Sequence, residues 1–169
     1  MGRDKRTEAK QEHFTKLVRT TMNTPAWCAL TPVAQALYPW LKLEWRGPQN
    51  NNNGKIRLSV RQAAANLGVN IKTAARGFHD LQAKGFIYVT EPARLGVGGE
   101  AKSPSFELTE IALPQSDQYS GRRLYRDWRE GADFPVHKAA LHNPRGINGK
   151  TKPCAQNGNS TVVKFGTKT

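Results

Sequence analysis

Acidic residues are what this 169-residue chain has in short supply: 13 Asp and Glu stand against 26 Lys and Arg, a formal net charge of +13. With a pI near 10.1, the surface concentrates polyanions around itself and repels cationic partners. Nucleic acid is the commonest soluble polyanion that fits. Cysteine is also scarce. Cys28 and Cys154 lie far apart and belong to no CxxC pattern, so neither a disulfide framework nor a zinc framework is supported. Cys28, inside PAWCAL, is expected as a small buried hydrophobe, and the whole reads as a reduced, cytoplasmic (nucleoid-associated) protein. No apolar run approaches the ~20 residues that a membrane span requires, so no membrane partner is expected. The opening MGRDKRTEAKQEHF lacks the apolar core of a secretory signal. Arg6 stands where a myristoylation pattern wants Ser or Thr.

Catalytic signals are missing as well. The histidines at 13, 79, 137 and 142 show no metal spacing, and the carboxylates are scattered. GVGGEAKS has glycines and a lysine but no Gly-Lys-Ser/Thr, and it precedes a strand pattern rather than a helix. No serine has a nucleophile-elbow setting. The expectation is therefore a non-enzyme with no metal and no cofactor.

What the chain does contain is a sequence of clear local signals. Residues 1–13 read as a polar arm. Phe14, Leu17, Val18 and Met22 fall at helical spacing, predicting a helix over 14–22. Thr31-Pro32 is a helix start, followed by an apolar stripe of Val33, Ala36, Leu37, Trp40 and Leu41, interrupted awkwardly by Pro39. GPQNNNNG, residues 47–54, reads as a solvent loop that buries nothing, and residues 55–59 alternate as a short strand. Then comes LSVRQAAANLGVNIKTAARGFHDLQAKGFI, residues 58–87. Ser59 and Gln62 form a capping box, and Gly68 ends the first helix by taking a left-handed conformation. Asn70 caps a second helix over about 71–84, whose inward face is Ala74, Phe78 and Leu81. Two short helices joined by a tight glycine turn make a helix-turn-helix. FIYVTEP and SFELTE, on either side of the Gly-rich RLGVGGEAKS, read as a hairpin. Residues 121–131, GRRLYRDWREG, suit a short basic helix. Residues 135–169 carry no acid and read as a disordered basic tail.

The order from residue 56 to residue 110 resembles bacterial winged helix-turn-helix proteins, and also the winged domains of phage and plasmid replication initiators. The resemblance extends over about 14–129. It implies a mainly α fold with a small β-wing (α+β) and flexible basic tails: an arm at 1–13, a winged domain at 14–113, a basic helical extension at 114–134 and a tail at 135–169. It also implies that the second helix enters the major groove, that the hairpin touches adjacent backbone or minor groove, and that the protein can dimerise. Two departures stand out: the acid in His79-Asp80 and the proline at 39.

A recognition helix presents the face opposite its core, here Ile71, Lys72, Thr73, Ala75, Arg76 and His79. Arg76 is the main candidate for a base contact, because its fork can pair with both acceptors of guanine. Lys72 and Thr73, at the helix start, suit phosphates. Arg61 lies where the first helix crosses the backbone, and Arg57 is either a phosphate contact or merely exposed. Arg94 and Lys102 flank the hairpin tip. Arg122, Arg123, Arg126 and Arg129 form the densest basic cluster, either phosphate-binding or a solvated face. The expected function is sequence-specific binding of double-stranded DNA by a transcriptional regulator. The alternative is a replication-initiation or accessory protein of a mobile element. A third reading is an interaction module that recruits a protein partner through its tail. Helices upstream of residue 45 either pair subunits or complete one core.

Overall fold

The computed structural model describes residues 13–95, 101–114, 116 and 120–138. The arm at 1–12, the hairpin tip at 96–100 and the tail from 139 onward lie outside them. The described chain is a mixed α+β unit: α1 (Arg19–Met22), α2 (Pro25–Cys28), α3 (Pro32–Leu43), α4 (Val60–Leu67), α5 (Ile71–Ala83), β1 (Ile87–Glu91), β2 (Arg94–Leu95), β3 (Ala101–Lys102) and β4 (Ser105–Leu108), then a 3-10 turn at Leu124–Arg126. β1 pairs antiparallel with β4, from Ile87 opposite Leu108 to Glu91 opposite Ser105, with an irregularity between Val89 and Glu91. β2 and β3 continue the hairpin outward.

One core joins all of this. α3 contributes Ala34, Leu37, Tyr38 and Leu41, α5 contributes Ala74, Phe78 and Leu81, and the hairpin contributes Ile87, Phe106 and Leu108. α3 therefore completes the core through this face. Gly77 permits its close approach, since a Cβ there would stand 3.3 Å from Val33 and 3.4 Å from Leu37. Phe86 is the hub of the aromatic cluster, edge-on to Trp27 and Tyr38 and stacked at 4.8 Å on Tyr125. Such pairs add ~0.5–1.5 kcal/mol beyond area burial.

Several expectations need correction. The helix predicted from Phe14 is only four residues long. Residues 13–18 have no helical turn, and Phe14 is 81% exposed at the rim of a groove lined also by Val18, Trp45 and Ile111. The α3 stripe is rotated from the one expected: Ala34 and Tyr38 are buried, whereas Ala36 and Trp40 are exposed. Pro39 does not interrupt α3, which runs through it. Cys28 is exposed, because the single turn of α2 points Ala26 and Trp27 inward instead. The strand expected at 55–59 shrinks to one bridge, Ile56 with Phe106. The helix expected over 121–131 is only the 3-10 turn, although Tyr125 and Trp128 are core residues.

The asparagine loop is not mere solvent filler. Asn53 is 2% exposed, accepts from the Leu108 amide at 2.7 Å and donates to the Ile111 carbonyl at 2.7 Å. Asn51 accepts from Trp45 Nε1 at 2.9 Å. These amides satisfy backbone groups at the end of β4 that burial would otherwise leave unpaired. A second polar cluster centres on Glu110, which accepts from Lys42 Nζ at 2.8 Å, Tyr38 Oη at 2.9 Å and Thr21 Oγ1 at 3.2 Å. Lys42 also donates to the Lys16 carbonyl at 2.6 Å, which ties the extended N-terminal segment to the core. Burial and the adjacent Glu110 carboxylate push the Tyr38 hydroxyl well above its ordinary value.

Candidate nucleic-acid interface

Local chemistry sets the two-helix unit. Ser59 Oγ accepts from the Gln62 amide while Gln62 Oε1 accepts from the Ser59 amide, so the α4 capping box is complete. Gly68 closes α4 at φ 64°, a left-handed conformation that costs a residue with a Cβ roughly 1–2 kcal/mol. Asn70 Oδ1 accepts from the Thr73 amide at 2.8 Å and opens α5 two residues later. Caps of this kind contribute ~0.5–2 kcal/mol each.

α5 then divides by side. Ala74, Gly77, Phe78 and Leu81 are buried, while Ile71, Lys72 and Arg76 are exposed and Thr73, Ala75 and His79 are half-buried. Ile71 exposes 53% of its surface. Among the described residues, the side chains of Lys72, Arg76 and the exposed Arg61 of α4 make no hydrogen bond or ion pair. There is no acid in the first turn of α4 or α5, so the positive end of the α5 dipole is uncompensated from within its own helix. Asp80 is turned to the α3 side, where its carboxylate accepts from the Thr31 amide at 2.7 Å. The departure noted in the sequence thus caps the start of α3.

The other basic candidates are arranged differently. Arg57 donates to Ser105 Oγ at 3.0 Å and to Glu91 at 3.2 Å, bracing the root of the hairpin. Lys102, in β3, is exposed and faces Arg94 in the backbone register. The Arg94 side chain and the hairpin tip fall outside the described residues. Arg122 is engaged inward. It makes a bidentate pair with the buried Glu107 at 2.9 and 2.6 Å, and its guanidinium lies 4.9 Å from the Tyr88 ring centre. That hydrogen bonding to Glu107 holds the Arg122 proton more tightly than usual. Arg123 adopts φ 51° and is half-buried, with its Nε enclosed. Arg126 is exposed, and Arg129 turns its Nη1 back onto the carbonyls of Arg126 and Trp128. This cluster packs near α2 and the C-terminal end of α5. Lys84, over the Trp128 ring at 4.6 Å, marks that end. Twelve residues separate Lys84 from Lys72, about 18 Å at the helical rise. The arginines of 122–129 therefore do not share a surface with the first half of α5.

One element of the site escaped the sequence reading. Residues 134–138 run along α5: the Phe134 amide donates to the Ala83 carbonyl at 2.9 Å, and the His137 amide donates to Gln82 Oε1 at 2.9 Å. His137 enters a cleft of ≈ 70 Å³ between α5 and the hairpin, lined also by Ala75, His79, Val89 and Phe106. Lys138 comes near enough to His79 that burial first, then this positive charge, lowers the His79 pKa from its ordinary value. No local signal could have joined Lys138 to His79, 59 positions upstream. Among the described residues no group of three or more His, Cys, Asp or Glu could hold a metal ion, and no helix is long and apolar enough to cross a membrane. Comparison of the chain with protein-family models, curated proteins and solved structures finds no match.

Proposed function

We propose that this chain is a sequence-specific double-stranded DNA-binding protein of the winged helix-turn-helix type, acting as a transcriptional regulator. The observation that carries the reading is the outer face of α5, where Ile71, Lys72 and Arg76 stand exposed at the start of the helix and the cations have no partner among the described residues. α5 spans about 20 Å, and its diameter suits a major groove about 12 Å wide. Its first half would meet base edges, with Arg76 bidentate to guanine and Lys72 on phosphate. Arg61 of α4 would sit over the flanking backbone, as the first helix of such a unit does. The β1–β4 hairpin, extended by β2 and β3, lies across the 70 Å³ cleft from α5 and supplies the wing, with Lys102 on its outer part. Arg57 supports the hairpin instead of reaching outward, and Arg122 does the same from the far side.

The test is selection of bound duplexes from a random pool at ~0.15 M salt, repeated with Arg76→Ala. A defined motif that loses one position in the variant supports the reading. A pool that stays random for the parent protein defeats it. Mapping the selected motif onto genomic promoters or onto repeated origin sites then separates a regulator from a replication protein.

A further inference from the structure

On the two-helix unit Ile71 is the one large apolar side chain that stands mostly in solvent, 53% exposed. It lies in an open hollow of ≈ 580 Å³ shared with Val69, Asn70, Lys72, Thr73 and Arg76. Its neighbours there are either engaged elsewhere or charged. Val69 is half-buried and packs against the core. Asn70 Oδ1 accepts from the Thr73 amide at 2.8 Å, and Thr73 is itself half-buried. Lys72 and Arg76 are the exposed cations. The hollow therefore presents an apolar knob framed by two positive charges. Other exposed hydrophobic side chains have different company: Tyr88 lies 4.9 Å from the Arg122 guanidinium, and Phe14 lines the groove beside Trp45.

We infer that Ile71 reads the 5-methyl group of a pyrimidine in the major groove, close to the guanine taken by Arg76. This inference rests on the DNA-binding reading above. A polar base edge loses its water when a protein surface docks on it, and an isoleucine returns no hydrogen bond in exchange. The base edge that faces Ile71 must therefore be apolar itself, and the apolar feature of the major groove is the pyrimidine methyl. Branching at Cβ assists the contact. In a helix an isoleucine has one dominant χ1 rotamer, so little side-chain freedom remains to be lost on binding. Ile71 precedes Arg76 by five residues, about 7.5 Å at the helical rise. Stacked base pairs are ~3.4 Å apart, which sets the methyl within about three base pairs of the guanine. Thymine and 5-methylcytosine both carry such a group at the same ring position.

The experiment measures affinity for the selected duplex and for copies in which each thymine near the Arg76-dependent guanine is replaced, one at a time, by uracil. A parallel set replaces each nearby cytosine by 5-methylcytosine. Three full-length proteins are compared: the parent, Ile71→Ala and Ile71→Val. Ile71 is exposed, so both variants fold. The expected result is one pyrimidine at which loss of the methyl weakens the parent about fourfold, the factor for one buried carbon. Ile71→Ala binds more weakly and no longer distinguishes the two duplexes, whereas Ile71→Val, which keeps the branch, still does. Sensitivity to uracil assigns the methyl to thymine, and a gain on 5-methylcytosine assigns it to a methylated site. A parent protein blind to the methyl at every position overturns the inference. Full discrimination retained by Ile71→Ala overturns it as well. The two levels of failure are distinct: loss of the inference alone leaves the motif and its Arg76 dependence intact, whereas absence of any motif removes the underlying reading.

Discussion

Two sets of cations in this molecule differ in what surrounds them. Lys42, Arg57, Lys84 and Arg122 each sit within 2.6–3.2 Å of a carboxylate and hold elements together. Arg61, Lys72 and Arg76 have no partner among the described residues and lie on the outer side of the two-helix unit. A net charge of +13 does not distinguish these sets. Proximity to an acid does, since a desolvated cation is tolerated only when it is paired and hydrogen-bonded. Density of arginine is therefore a poor guide to an interface. The densest stretch, residues 121–131, commits Arg122 to Glu107 and encloses part of Arg123.

Substitutions should divide along the same line. The largest effect is expected from Lys42→Met, which strands Glu110 in a buried setting. Removal of one partner of such a pair costs about 3–5 kcal/mol, read as a lowered chemical-denaturation midpoint. A midpoint unchanged in Lys42→Met would erase the first half of the contrast. Arg122→Ala should come next. Glu107 is 3% exposed but Arg122 is 44% exposed, so solvent screening reduces the loss to roughly 1–3 kcal/mol. DNA affinity per folded molecule should stay the same, and a fall in affinity without a fall in stability would place Arg122 in the other set.

Arg76→Ala should do the reverse. Stability stays within about 0.5 kcal/mol, while discrimination at one base pair falls by about 1–3 kcal/mol. Lys72→Ala and Arg61→Ala sharpen the picture, each weakening all duplexes alike and reducing the salt slope by about 0.9. The smallest effect concerns His79. Burial and Lys138 depress its pKa below the usual ~6.5, so the folded protein favours the neutral ring. That contribution to stability is complete above the ordinary value and is lost as pH falls through the depressed one. Nearby phosphates favour the proton, so affinity should rise as pH drops below the ordinary range, and His79→Gln should flatten the profile.

Legibility in the sequence followed distance along the chain. The capping box at Ser59–Gln62, the left-handed Gly68 and the Asn70 cap all use partners three or four residues away, and each was readable. So was the inward face of α5, whose periodicity is that of the helix itself. Failures came where a partner lies far off. Apolar spacing at Phe14 suggested a helix, but periodicity does not say whether a surface waits to receive it. Asn53 looked like any loop asparagine until Leu108 and Ile111, 55 and 58 positions away, came within its reach. Arg122 and Glu107 are 15 residues apart. Nothing in either neighbourhood announces the pair.

The strap formed by residues 134–138 is fastened by peptide nitrogens, those of Phe134 and His137. Main-chain amides are common to every residue except proline, so the donors do not depend on side-chain identity, but the acceptor for His137 is the side chain of Gln82. His137→Pro and Gln82→Ala should therefore release the same end of the strap, one by removing the donor and the other by removing the acceptor.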